Sequence, residues 1–335
     1  MPTTRARFIA PLLYWRIMVT PLAPSAIADA FAPVLRGIAS VVVGKDEVVE
    51  LTLVAALAGG HILIEDVPGI GKTTLAKAFA RSIGGSFSRV QCTPDLLPSD
   101  VTGVHVLDQR QGTFLFQPGP IFANVVLVDE LNRATPRTQA ALLEAMEERQ
   151  VTLEGTTRPL PSPFLVIATQ NPIELEGTFP LPEAQLDRFL LRLRLGYPSE
   201  QEEDELLLRF SGPPPLERLS AVLDPERLVE LQALVRAVRV EPTVRGYGLA
   251  LVRATRGHEA VRLGASPRAS LALYHAAQAL AALRGRTYVL PDDLKQLAAP
   301  VLGHRLLLHS QARLRGRSEL TVLDELLTAT PVPVE

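Results

Sequence analysis

Residues 61–65 (His61-Ile62-Leu63-Ile64-Glu65) are a short, mostly apolar run that enters Asp66-Val67-Pro68-Gly69-Ile70-Gly71-Lys72-Thr73, after which residues 75–83 show helical spacing. A buried strand that enters a tight glycine loop and opens a helix leaves few folds available. The glycines let backbone N–H groups turn inward, and the helix N-terminus adds partial positive charge, so the turn suits an anion. Lys72 can reach the β- and γ-phosphates of a nucleotide, and the Thr73 hydroxyl can hold Mg²⁺. A ligand-free glycine turn is the bland alternative, and Gly-Lys-Thr in this setting argues against it. Asp66 stands where the consensus loop has its first glycine; Asp tolerates turn conformations, so the loop is expected to form.

Further strand ends carry polar groups. Residues 125–128 are apolar and end in Asp129-Glu130. Strand residues alternate faces, so the two acids can divide the work. Asp129 is the candidate for the Mg²⁺ shell through water, and Glu130 for orienting and polarising the attacking water. Residues 164–168 form another apolar run, followed by Thr169-Gln170-Asn171-Pro172. Asn171 is placed to reach the γ-phosphate and the water; on its own it reads as a turn residue before proline. Arg188 lies in Leu186-Asp187-Arg188-Phe189, where the bland reading is an ion pair with Asp187 or Glu183. In Ser266-Pro267-Arg268, Ser266 is a natural N-cap and Pro267 fits the first helical position. Arg268 is then a cation at the unfavourable end of a helix, which makes sense beside an anion.

The short β-rich runs at 61–65, 86–92, 125–128, 164–168 and 189–193 are mostly separated by helical stretches, which predicts an α/β fold with a parallel sheet covered on both faces. Residues 101–117 and 150–160 read as hairpins. Residues 27–60 are helical, with a break at Gly44-Lys45-Asp46. Beyond Tyr197-Pro198 the pattern turns helical with little strand signal. The expected organisation is an N-terminal extension (1–25), an α/β core (26–197) and a helical second domain (198–335). A length of 335 residues suits two domains. A net charge of −2 argues against coating nucleic acid or anionic membrane. One cysteine, Cys92, excludes an intramolecular disulfide and a Cys-rich zinc site, and a reducing cytoplasm is the simplest compartment. In the extension, Arg5 and Arg7 precede an apolar run at 8–15 that is too short to span a bilayer. It imitates an export signal, but a loose extension or a start at Met18 is the simpler reading.

Taken together, these segments resemble the MoxR family of AAA+ ATPases. The resemblance rests on Glu65-Asp66-Val67-Pro68-Gly69-Ile70-Gly71-Lys72-Thr73, Gln117-Pro118-Gly119-Pro120-Ile121-Phe122 and Val128-Asp129-Glu130-Leu131-Asn132-Arg133-Ala134. Leu142-Leu143-Glu144-Ala145-Met146, Ala168-Thr169-Gln170-Asn171-Pro172, Leu181-Pro182-Glu183-Ala184-Gln185-Leu186-Asp187-Arg188-Phe189 and Gly264-Ala265-Ser266-Pro267-Arg268-Ala269 extend it almost to the C-terminus. An acid at the position of Asp66 is common in that family. The resemblance implies an AAA+ P-loop core with a C-terminal helical lid. It implies ATP and Mg²⁺ held by Val43, Gly44, Asp66, Pro68, Gly69, Ile70, Gly71, Lys72, Thr73 and Thr74, with Thr73 and Asp129 at the metal. It makes Glu130 the catalytic acid of Walker B, Asn171 sensor 1, Arg268 sensor 2, and Arg188 the finger offered to a neighbour's ATP. It implies hexameric rings, partners with a von Willebrand factor A domain, and a chaperone task in maturing or metallating target complexes.

Three other classes compete with this reading. A nucleic-acid motor needs basic, often aromatic hairpin tips; residues 101–117 offer only Arg110 and Phe114, and the second hairpin Arg149 and Arg158 beside Glu154. A GTPase switch lacks its Asn-Lys-x-Asp element. A scaffold without turnover does not need Glu130 and Asn171.

Overall fold

The computed structural model describes residues 26–173 and 177–333, so the N-terminal extension and the readings placed on it lie outside the described residues. Two helices, α1 (Ala26–Ala39) and α2 (Asp46–Ala58), flank the expected break. β1 (Ile62–Glu65), α3 (Lys72–Ser82) and β2 (Phe87–Gln91) follow. A short α4 (Pro98–Thr102) leads into the hairpin β3 (Gly103–Asp108) and β4 (Thr113–Pro118). Then come β5 (Val125–Asp129), α5 (Pro136–Glu148), a second hairpin of β6 (Gln150–Leu153) and β7 (Thr156–Pro159), β8 (Leu165–Gln170), α6 (Glu183–Leu186) and β9 (Leu191–Leu193).

Five strands form one sheet in the order β2-β5-β8-β1-β9, parallel throughout. Their C-terminal ends therefore share one edge. The chain leaves β1 for the far strand β2 and returns through β5 and β8, and β9 then takes the other side of β1. Loops that diverge at such a switch point open a crevice for ligands. The period-two alternation sorts the core. Ile62, Ile64, Val125, Leu127 and Ile167 join the apolar layer of α1, α2 and α3, whereas Leu63, Val126, Val128 and Val166 face the layer of α5.

The helical part contains α7 (Glu200–Phe210), α8 (Pro215–Arg218), α9 (Pro225–Val235), α10 (Pro242–Gly257), β10 (Val261–Leu263) and α11 (Pro267–Leu283). It closes with α12 (Pro291–Leu302), β11 (Leu307–Leu308), α13 (Ser310–Leu314) and α14 (Glu319–Ala329). Leu273, Ala277 and Leu280 of α11 are buried in the layer that holds α2, so lid and core share apolar packing. The short antiparallel pair β10–β11 was not expected; it is too brief, and too irregular in register, to leave an alternating pattern. Among the described residues, no helix is long and apolar enough to cross a membrane.

Candidate active site

Gly69 (φ +87°) and Gly71 (φ +97°) hold the loop after β1 in left-handed backbone conformations that L side chains rarely adopt. A Cβ built on either would meet nothing within 4 Å, so the space before the loop stays open. The first turn of α3 carries no acid, which keeps its N-terminus receptive to an anion. Lys72 donates from Nζ to the Asp66 carbonyl oxygen at 2.7 Å. Burial pulls its ammonium below the usual lysine pKa range, against the opposing pull of Asp129, Asp66 and Glu130.

A cavity of about 320 Å³ lies before the loop, with Lys72, Thr73, Asp129, Glu130, Thr169 and Asn171 in its wall. Asp129, only 7% exposed, is the last residue of β5. Its Oδ2 accepts from Arg89 Nε at 2.7 Å, and its Oδ1 from Thr169 Oγ1 at 3.1 Å. Thr169 Oγ1 in turn accepts from the Glu130 N–H at 2.9 Å, so a single hydroxyl ties the two acids together. Glu130 is left-handed at φ +56°, an uncommon conformation for a residue other than glycine, and it turns the carboxylate out of the strand. Glu130 Oε2 accepts from Gln91 Nε2 at 2.9 Å and from Arg133 Nη1 at 3.1 Å. Asn171 Oδ1 accepts from the Ile173 N–H at 3.2 Å. Buried Cys92 lies behind the acids; burial first, then Asp129 and Glu130, push its thiol up to about 12, which keeps it protonated.

Arg89, Gln91 and Thr169 did not stand out in the sequence. The register pairs Gln91 with Asp129 and sets Arg89 two residues back on the same face of β2. The available signal was the polar-apolar-polar order of Arg89, Val90 and Gln91, in which only Val90 is buried.

A second cavity, of about 400 Å³, shares Pro68, Gly69, Gly71 and Thr74 with the first. Val43, Ile70 and Tyr197 are in its wall. Gly44 lies against α7, where an added Cβ would fall 1.8 Å from Glu202 Oε1. Lys45 Nζ donates to the Tyr197 carbonyl at 3.2 Å. The two cavities meet at the glycine loop, one polar and flanked by acids, the other flanked by apolar side chains. A hydroxyl and a carboxylate on one wall suit a hard cation that keeps waters and takes phosphate oxygens, so Thr73 and Asp129 fit Mg²⁺.

Arg188 and Arg268 are not brought to this cavity. Arg188 precedes β9, whereas the loop follows β1, its parallel neighbour, so the arginine lies at the opposite edge of the sheet. Arg188 Nε pairs with Glu147 Oε2 at 2.9 Å, and Arg268 pairs with Oε1 of the same carboxylate. The anion beside the α11 N-terminus in this structure is Glu147. Arg188 pairs with neither Asp187 nor Glu183. Asp187 instead accepts from Arg305 Nε at 2.7 Å and from Ser266 Oγ at 2.8 Å.

Known proteins resemble this chain over most of its length. A profile described as the ATPase family associated with various cellular activities (AAA) matches residues 61–191, and an AAA lid domain profile matches residues 253–326. The chain is 51% identical over 295 residues to the uncharacterized protein YeaC of Bacillus subtilis, covering 88% of this chain and 92% of that one. It is 44% identical over 302 residues to Chaperone MoxR1 of Mycobacterium tuberculosis, covering 88% and 80%. A crystal structure of a proposed ATPase from Cytophaga hutchinsonii superposes with a TM-score of 0.87 at 37% identity, over 93% of this chain and 97% of that one.

Proposed function

The chain belongs to the MoxR family of AAA+ ATPases and hydrolyses ATP, and we propose that it does so as a ring-forming chaperone that remodels a partner complex. The observation that carries this reading is the division of charge between two edges of one sheet. The glycine loop and the acids occupy the C-terminal edge, and Arg188 and Arg268 occupy the other. A head-to-tail contact sets one subunit's arginines against its neighbour's cavity, and such contacts close into a ring when the rotation allows. Six subunits is the size implied by the resemblance.

Within the site, Lys72 exchanges the Asp66 carbonyl for the β- and γ-phosphates. Thr73 and Asp129 hold Mg²⁺, which neutralises phosphate charge when bound. Glu130 orients and polarises the attacking water, with Asn171 beside it. Thr169 keeps the two acids in fixed relation, and Gln91 and Arg133 hold the Glu130 carboxylate. Val43, Ile70 and Tyr197 form the adenine side, with Gly44 beside it leaving room for Glu202. Arg188 and Arg268 both leave Glu147 for a neighbour's γ-phosphate, so Arg268 joins the finger rather than its own chain's phosphates. The functional units are the core (26–197) and the lid (198–335), in a cytoplasmic protein where ATP is supplied.

The hairpins support a protein client over a nucleic acid. Arg158 lies over the Phe116 ring at 4.2 Å, and Arg149 is bonded to the Gly59 carbonyl, so two of the three basic candidates are engaged internally, and Arg110 alone of them stands exposed at a hairpin turn. Leu107, Phe114 and Leu115 on the first hairpin are exposed. We assign the partner to the von Willebrand factor A class on the strength of the family resemblance. Sedimentation with ATP and Mg²⁺, together with ATPase assays under DNA titration, tests the proposal. Assembly into rings and no stimulation by DNA are expected; a monomer that DNA activates would overturn it.

A further inference from the structure

Asp66 replaces a glycine that the loop could use without strain, and the structure gives its side chain a task. Its Oδ2 accepts from the Gly196 N–H at 2.7 Å, and its Oδ1 accepts from the Val67 N–H at 2.9 Å. Its carbonyl oxygen is the acceptor for Lys72 at 2.7 Å. Gly196 belongs to the segment between β9 and α7, the connection from core to lid. The next residues, Tyr197 and Pro198, line the cavity on the adenine side. The segment is held once more when Lys45 donates to the Tyr197 carbonyl at 3.2 Å. One residue therefore touches the phosphate-binding lysine through its backbone and the lid connection through its carboxylate. Glycine in its place would keep the first contact and lose the second.

The geometry points to Asp66 as a positioning residue that couples phosphate binding to the core–lid connection, and so to the wall of the adenine pocket. Phosphates replace the Asp66 carbonyl as partner of Lys72 and order the glycine loop of which Asp66 is the first residue, so the Asp66 carboxylate is held in place for the Gly196 N–H. Opening the connection breaks a charge-assisted hydrogen bond to that carboxylate. Any ligand that binds only the closed arrangement makes such opening rarer by mass action. The inference rests on the two cavities being the ATP site, and a direct titration of the unmutated protein with ATP reads that premise separately.

The experiment compares the unmutated protein with Asp66→Gly and Asp66→Asn. Nucleotide affinity is measured by calorimetry, and backbone amide exchange is followed at residues 194–197 with and without ATP. Asp66→Gly is expected to weaken ATP binding about tenfold, the scale of one hydrogen bond to a charged group. It should also abolish ATP-dependent protection of the Gly196 amide while leaving the melting temperature close to that of the unmutated chain. Asp66→Asn keeps an acceptor for the Gly196 N–H and should bring affinity back to within about threefold. In the unmutated protein ATP itself should slow exchange at Gly196, a readout that does not depend on any variant folding. Equal affinity and equal protection in Asp66→Gly would overturn the proposal, as would a Gly196 amide indifferent to ATP. Failure of the unmutated protein to bind ATP would instead remove the premise.

Discussion

Lys72 and Glu130 face one cavity with opposite charges, and their substitution should separate binding from turnover. Lys72→Ala removes the cation that the phosphates would take from the Asp66 carbonyl, so nucleotide affinity is expected to fall by an order of magnitude or more. Glu130→Gln keeps the size of the side chain and a hydrogen-bonding group for Gln91. ATP should stay bound while turnover falls by about 10²-fold or more, the scale of a lost base. Calorimetry and a phosphate-release assay check both; equal loss of affinity in the two variants would sink the assignment. His61 offers a test through pH. Its Nδ1 accepts from the Val166 N–H at 3.0 Å, so the proton sits on Nε2, which donates to the Met146 carbonyl at 3.1 Å. Burial, with Arg149 adding to it, lowers the pKa from 6.5 to about 4. The unfolded chain binds the extra proton first as pH falls, so this stabilisation is complete above pH 6.5 and is lost on approach to pH 4. The lost contribution is on the order of 3 kcal/mol, and His61→Gln should flatten that part of a stability-versus-pH curve. Lys72, Thr73, Asp129 and Glu130 could be picked out because each is defined by its immediate neighbours in sequence. Arg89 and Gln91 could not, because their meaning comes from a strand register that pairs residues nearly forty positions apart.

At the level of elements, the strand, loop and helix around residues 62–82 and the two hairpins follow patterns that are complete within a few residues. The direction in which the helical part sits is a different matter, since it depends on contacts between distant elements. Asp187 at the end of α6 joins core to lid through Arg305, whose side chain is 3% exposed, and through Ser266, the N-cap of α11. Arg305 also donates to the carbonyls of Leu190 and Phe189, so the guanidinium is held across the junction. This joint places the N-terminus of α11, and therefore Arg268, beside Arg188. Nothing local in Ser266-Pro267-Arg268 announces that location. Removing one partner leaves a buried charge uncompensated, which typically costs about 3–5 kcal/mol. Asp187→Ala should therefore lower unfolding free energy on that scale in urea titrations. Arg188→Ala, whose partner Glu147 is partly exposed, should change it by less than about 1 kcal/mol. Comparable losses in the two variants would show that the joint is not built around Asp187 and Arg305.

For the whole molecule the question is how a chain with Arg188 and Arg268 on one edge and its phosphate loop on the other completes a hydrolytic site. A single subunit sets Lys72, the N-terminus of α3 and Arg89 at its own cavity, Arg89 being bound to Asp129, while Arg188 and Arg268 remain paired with Glu147. Phosphoryl transfer spreads negative charge over the γ-phosphate oxygens, and a guanidinium delivered there contributes about 10³–10⁵ in rate. Delivered by a neighbour, it makes hydrolysis depend on assembly, so specific activity should rise with protein concentration. Arg188→Ala and Arg268→Ala should each bind ATP and turn it over poorly. Lys72→Ala should bind nucleotide far more weakly in its own cavity but still carries both arginines. Mixed with Arg188→Ala, it places an intact arginine beside an intact ATP site at a fraction of the interfaces. Part of the activity should return on mixing and vanish again on dilution below the assembly concentration. Mixed rings that form and never recover activity would return Arg188 to the role of a partner for Glu147.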